Sequence, residues 1–116
     1  MSSSVYITFD PRDEGVSRDN WNAWAAGHGL LQTPGTGEHG HTWRKGPGIE
    51  VDYHSKRRMT FSAFYMSDEV PELIRLALDF WTKFGGSLDA ATEIRTMIWQ
   101  MFMGMQRRLT TPGGTS

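Results

Sequence analysis

Residues 48–66 read GIEVDYHSKRRMTFSAFYM, and the phase of this stretch decides the fold. Ile49, Val51 and Tyr53 alternate with Glu50, Asp52 and His54. Beyond the charged corner Ser55-Lys56-Arg57-Arg58, Met59, Phe61, Ala63 and Tyr65 alternate with Thr60, Ser62, Phe64 and Met66. Successive side chains of a strand point to opposite faces, so a period of two on both sides of a polar corner predicts an antiparallel hairpin. One of its faces is apolar and the other is wet.

Upstream, Val5, Ile7 and Phe9 alternate with Tyr6 and Thr8, which predicts a first strand over residues 4–9, closed by Asp10-Pro11 because proline donates nothing to a ladder. Ser17 then caps a helix with Asp19 in its first turn. Trp21, Trp24, Ala25 and His28 share one face of that helix, and Gly27 and Gly29 end it. From Gly29 to Gly48 six glycines and two prolines interrupt any periodicity, so this stretch reads as a long irregular connection.

Downstream, Ser67 or Asp68 caps a second helix with Pro71 in its first turn, and Gly85-Gly86 stop it. Its stripe is Val70, Leu73, Ile74, Ala77, Trp81 and Phe84, widened by Leu76 and Phe80. A last helix runs from about Asp89 to Leu109, with Ile94, Met97, Ile98, Met101, Phe102, Met105 and Leu109 at helical spacing. Residues 111–116 have nothing to bury and form a frayed tail. The order β-α-loop-β-β-α-α predicts a single α+β domain over residues 1–110. It is a two-layer domain, with a three-stranded, mainly antiparallel sheet and about three helices, and with Trp81, Phe61 and Ile98 buried together.

Composition narrows the function. The 116 residues fit one core of ordinary size. Twelve basic against thirteen acidic residues leave a charge of −1, so general nucleic-acid binding is not expected. The chain has no cysteine, so disulfides, thiolate zinc sites and a cysteine nucleophile are excluded. Nothing resembles a signal peptide or a membrane span, which points to a cytosolic protein with no membrane partner.

Chemistry-bearing residues are few. His39-Gly40-His41 places two imidazoles one residue apart beside Glu38, and such a pair can ligate a divalent metal with Asp52 or His54 completing the shell. A lone HxH in a glycine-rich loop lacks the fixed scaffold of a helical motif, and a solvated polar loop explains it as well. Gly35, Gly37 and Gly40 form no P-loop or dinucleotide fingerprint, so no cofactor is expected.

On the wet face of the hairpin, Glu50, Asp52, His54 and Ser62 lie in line, with Phe64 at its end. These residues suit either an acid–base cluster or a partner-binding surface. Trp99 and Met103 widen the apolar arc of the last helix beyond what one sheet needs and suit a protein contact, including a homodimer in which two last helices meet. The sequence therefore supports a protein-binding module acting by surface complementarity, in the manner of an inhibitor or immunity protein. The alternative is a small metal-dependent or acid–base enzyme using His39, His41, His54 and Asp52.

Overall fold

A computed structural model describes residues 2–33, 42–64 and 68–110, with the side chains of Ser2, Phe64, Glu93 and residues 105–110 outside the description. The elements in chain order are β1 (Ser2–Thr8), α1 (Arg18–Gly27), β2 (Leu31–Gln32), β3 (Thr42–Lys45), β4 (Ile49–Ser55), β5 (Arg58–Phe64), α2 (Val70–Phe84), β6 (Ser87–Ala90) and α3 (Thr92–Thr110). The fold is α+β, with three helices and one antiparallel sheet. That sheet has six strands in the order β2-β3-β4-β5-β1-β6, not three.

The central hairpin has the expected phase. Val51 pairs with Phe61 and Asp52 with Thr60, and β1 lies beside β5 with Val5 opposite Phe61. Ile49, Val51, Met59, Phe61, Ala63, Val5 and Ile7 are all buried on one face. Both α1 and α2 cover that face. Trp21 packs on Tyr53 and Trp43, Trp24 on Phe61, and Phe80 on Phe61, so the first helix shares the layer of the second.

Three strands escape the sequence pattern. β2 and β3 lie within the stretch read as irregular: Trp43 is buried opposite Val51, while Lys45 Nζ donates to Glu72 Oε1 of α2 at 3.0 Å. A three-residue turn with Gly46 at φ 65° joins β3 to β4. β6 replaces the expected first turn of the last helix, which starts at Thr92 and not at Asp89. β6 pairs with β1, placing Ala90 opposite Val5 and Leu88 opposite Ile7.

The helix ends follow their local signals in part. Ser17 caps α1 as expected, its side chain accepting from the Asn20 N–H at 3.2 Å. At α2 the cap position is Glu69, not Ser67 or Asp68, and its own side chain does not bond the helix N-terminus; Pro71 does sit in the first turn. The circumference of α2 is widely buried, from Val70 through Leu73, Ile74, Leu76, Ala77 and Leu78 to Phe80. Trp81 corrects the expected core trio. Phe61 and Ile98 are buried, but Trp81 is only half-buried at the core margin, where its Nε1 donates to the Gly86 carbonyl at 2.9 Å.

Gly15 fixes the approach of the β1–α1 connection to the β4–β5 corner. Its φ is +73°, and a Cβ there would lie 2.0 Å from the Lys56 carbonyl oxygen. The Val16 N–H donates to that same oxygen at 2.7 Å, and the Phe9 N–H to the Arg57 carbonyl at 2.9 Å. Tyr53 Oη completes the seam by donating to the Val16 carbonyl at 2.7 Å. Burial pushes the Tyr53 phenol above its ordinary value, with the nearby Arg18 charge opposing the shift.

Candidate functional site

The helices cover one face of the sheet, and the other face carries the alternate side chains of every strand pair. Two rows cross it. In one, Leu31, Arg44, Glu50, Ser62 and Ser4 are successive partners from β2 to β1. In the other, Thr42, Asp52, Thr60, Tyr6 and Asp89 run from β3 to β6. The strand alternation that buried Val51 and Phe61 thereby brings Glu50, Asp52 and Ser62 together.

Cross-strand contacts tie this face down. Thr42 Oγ1 donates to Asp52 Oδ1 at 2.8 Å, an Arg44 guanidinium nitrogen to Glu50 Oε1 at 3.2 Å, and Ser4 Oγ lies 3.1 Å from Ser62 Oγ. His54 sits at an irregularity of the β4–β5 register and pairs its Nε2 with Thr60 Oγ1 at 2.9 Å. Individually such cross-strand pairs contribute roughly 0.2–1 kcal/mol, so their effect is to order side chains more than to hold the fold. Tyr6, on the penultimate strand β1, is 40% exposed, and Leu31 on the edge strand β2 is 75% exposed.

Of the candidate cluster His39, His41, His54 and Asp52, the described residues include only Asp52 and His54. Asp52 and His54 each engage a threonine hydroxyl on a neighbouring strand, and no three His, Cys, Asp or Glu side chains converge on one point among the described residues. His39 and His41 lie outside the described residues, and the side chain of Phe64 does too. A cleft of about 210 Å³ opens where Arg44, Glu50 and Ser62 meet Pro47, below the size usual for a small-molecule pocket.

Trp99 and Met103 stand apart from this face. They lie on α3, 63% and 42% exposed, beside a groove of about 450 Å³ between α3 and β6. Met97, expected within the apolar stripe of α3, is 37% exposed, while Ile94 and Ile98 of that stripe are buried. No helix among the described residues is long and apolar enough to cross a membrane.

Sequence reasoning missed Arg44, Thr42 and Leu31 on the open face because β2 and β3 went unrecognised. The alternation of Thr42, Trp43, Arg44 and Lys45 before a Gly-Pro-Gly turn was the available signal. Leu88 and Asp89 were missed for the same reason at β6. The sequence matches no known protein family, and no curated protein or solved structure is detectably similar to it.

Proposed function

We propose that the protein is a cytosolic protein-binding module, of the kind that inhibits or neutralises another protein by surface complementarity, and that the open sheet face is its contact surface. One observation carries this reading: Glu50, Asp52, His54 and Ser62 are held by cross-strand partners on the sheet face that also bears the exposed ring of Tyr6, opposite the face that α1 and α2 cover. Side chains ordered before binding lose less conformational entropy on complex formation, and tyrosine and arginine are the residues that most often anchor such contacts. Tyr6 and Arg44 supply one of each. The acid–base alternative has less support, since Asp52 and His54 are each engaged with a separate threonine hydroxyl and not with one another.

The test combines Glu50→Gln, Asp52→Asn and His54→Gln in one chain. The melting temperature should stay within a few degrees of the parent, because these side chains contribute little to folding. Affinity capture from an extract of the native host should recover a stoichiometric protein with the parent and much less of it with the variant. Equal recovery by both chains would remove the open face as the contact, and a turnover lost with the variant would favour the enzyme.

A further inference from the structure

Three carboxylates among the described residues lie in the two rows of the open sheet face, and two of them are matched within the chain. Glu50 Oε1 accepts from an Arg44 guanidinium nitrogen at 3.2 Å, and Asp89 Oδ1 accepts from an Arg95 guanidinium nitrogen at 2.8 Å. Asp52 is the exception. Its Oδ1 accepts from the neutral Thr42 hydroxyl at 2.8 Å, and no cation among the described residues forms an ion pair with it. A hydroxyl donor leaves the negative charge of a carboxylate uncompensated and its second oxygen open to a further donor.

The same row carries an exposed aromatic ring. Asp52 is the cross-strand partner of Thr60, and Thr60 of Tyr6, so the carboxylate and the phenol ring flank one small side chain. Neighbouring strands lie about 4.8 Å apart, which separates the Asp52 and Tyr6 backbones by ~10 Å. A planar cation spans that width when it lies within about 6 Å of the ring centroid and donates to the carboxylate on its other side. The cation–ring contacts among the described residues are those of Arg18 on Tyr53 and Lys83 on Phe84, so none of these cations lies over Tyr6. Arg58, on the same face, stands one row further along, opposite Thr8.

We infer that Asp52 and Tyr6 together receive an arginine side chain of the partner protein, its guanidinium stacking on the Tyr6 ring and donating to Asp52. This rests on the reading of the open face as a contact surface and names the chemistry that the row recognises. Charge complementarity selects the partner's sign, because a carboxylate brought to this row would meet Asp52 as a like charge. Shape selects arginine over lysine. A guanidinium is planar, stacks on aromatic faces and presents donors in a fixed fork, whereas an ammonium is a compact and strongly hydrated point charge.

The row is ordered before an arginine arrives. Thr42 holds one oxygen of Asp52, and the Thr60 hydroxyl between carboxylate and ring is engaged by His54 Nε2 at 2.9 Å. Little side-chain freedom is then lost on binding. Asp52 is half-buried and Tyr6 is 40% exposed, so the contact stays within reach of solvent ions and weakens as salt rises.

Titration of the isotope-labelled full chain with hexa-arginine, hexalysine and hexaglutamate at low salt, followed by amide chemical shifts, tests the inference. Hexa-arginine should shift the amides of Asp52, Thr60 and Tyr6 saturably, hexalysine should bind several-fold more weakly, and hexaglutamate should leave the row unmoved. Asp52→Asn should weaken hexa-arginine at least ~5-fold, and Tyr6→Leu about 3-fold, as loss of a charge-assisted hydrogen bond and of a cation–π contact at a partly exposed site implies. Asp19→Asn, in the first turn of α1, should leave the affinity unchanged. The amide spectrum of each variant reports its fold, and Tyr6→Leu carries the test if Asp52→Asn does not fold. Absence of binding, shifts centred on another surface, or an affinity that both row variants leave intact would overturn the inference. If that happens while the combined Glu50→Gln, Asp52→Asn and His54→Gln chain still loses a captured protein, the open face stands as a contact and the arginine alone falls.

Discussion

His28 Nε2 lies 2.6 Å from Asp79 Oδ2, a contact that joins the C-terminal end of α1 to the middle of α2. The same carboxylate oxygen accepts from Trp24 Nε1 at 3.2 Å. His28 Nδ1 lies 2.8 Å from the Trp24 carbonyl, and the imidazole stacks on the Trp24 ring at 4.4 Å. Both ring nitrogens therefore face an oxygen acceptor, one on each helix. With both nitrogens engaged, this histidine is a strut between helices. Asp79→Ala should cost about 2 kcal/mol in urea unfolding, because it also leaves the indole N–H of the buried Trp24 without its acceptor. His28→Ala should cost less. A double-mutant cycle should return a coupling of about 1 kcal/mol, modest because both side chains are partly exposed.

Phe61 and Trp81 should respond differently to truncation. Phe61 is fully buried between Trp24, Phe80 and its strand neighbours, so Phe61→Ala should cost on the order of 3–5 kcal/mol, enough to threaten a domain of ordinary stability. Trp81 keeps part of its ring in water, and Trp81→Ala should cost about 1–2 kcal/mol. Equal losses in denaturant melts would place Trp81 deeper than the structure does.

Gly15→Ala should cost about 2–3 kcal/mol although it removes no contact. The added methyl carbon would fall within 2.0 Å of the Lys56 carbonyl oxygen at a positive φ, so the β1–α1 connection must lift from the β4–β5 corner. Hydrogen exchange should then quicken at the Val16 and Phe9 amides, which donate across this seam. Unchanged protection at both amides would count against the seam.

Glu72 gives a pH dependence of defined sign. The hydrogen bond from Lys45 is the main cause holding its carboxyl below the usual 4.5; the charges of Lys45 and Arg75 add to this and partial burial opposes it. With the folded value depressed, the unfolded chain takes up the proton more readily. The contribution is thus fully present above about 4.5 and is lost as pH falls through the folded value. The stability difference between the parent and Glu72→Gln should be flat near neutrality, shrink below about 4.5 and vanish at lower pH. Its size should stay under ~1 kcal/mol, because the side chain is well hydrated.

The sequence by itself determined the elements whose signal is local. Alternation set the faces of β4 and β5, the serine at position 17 capped α1, and the wide stripe of α2 announced its burial. From the same alternation came the membership of Glu50, Asp52, His54 and Ser62 in the wet face, since a strand's two faces are a matter of parity. Only the tertiary structure decided that Thr42–Lys45 and Ser87–Ala90 are strands, because four residues carry too little periodicity and gain their order from the neighbours they pair with. Long-range packing likewise decided that Trp81 stops at the core margin and that His28 meets Asp79. Each of these depends on how far an adjacent element reaches in space, a quantity that no period along the chain encodes.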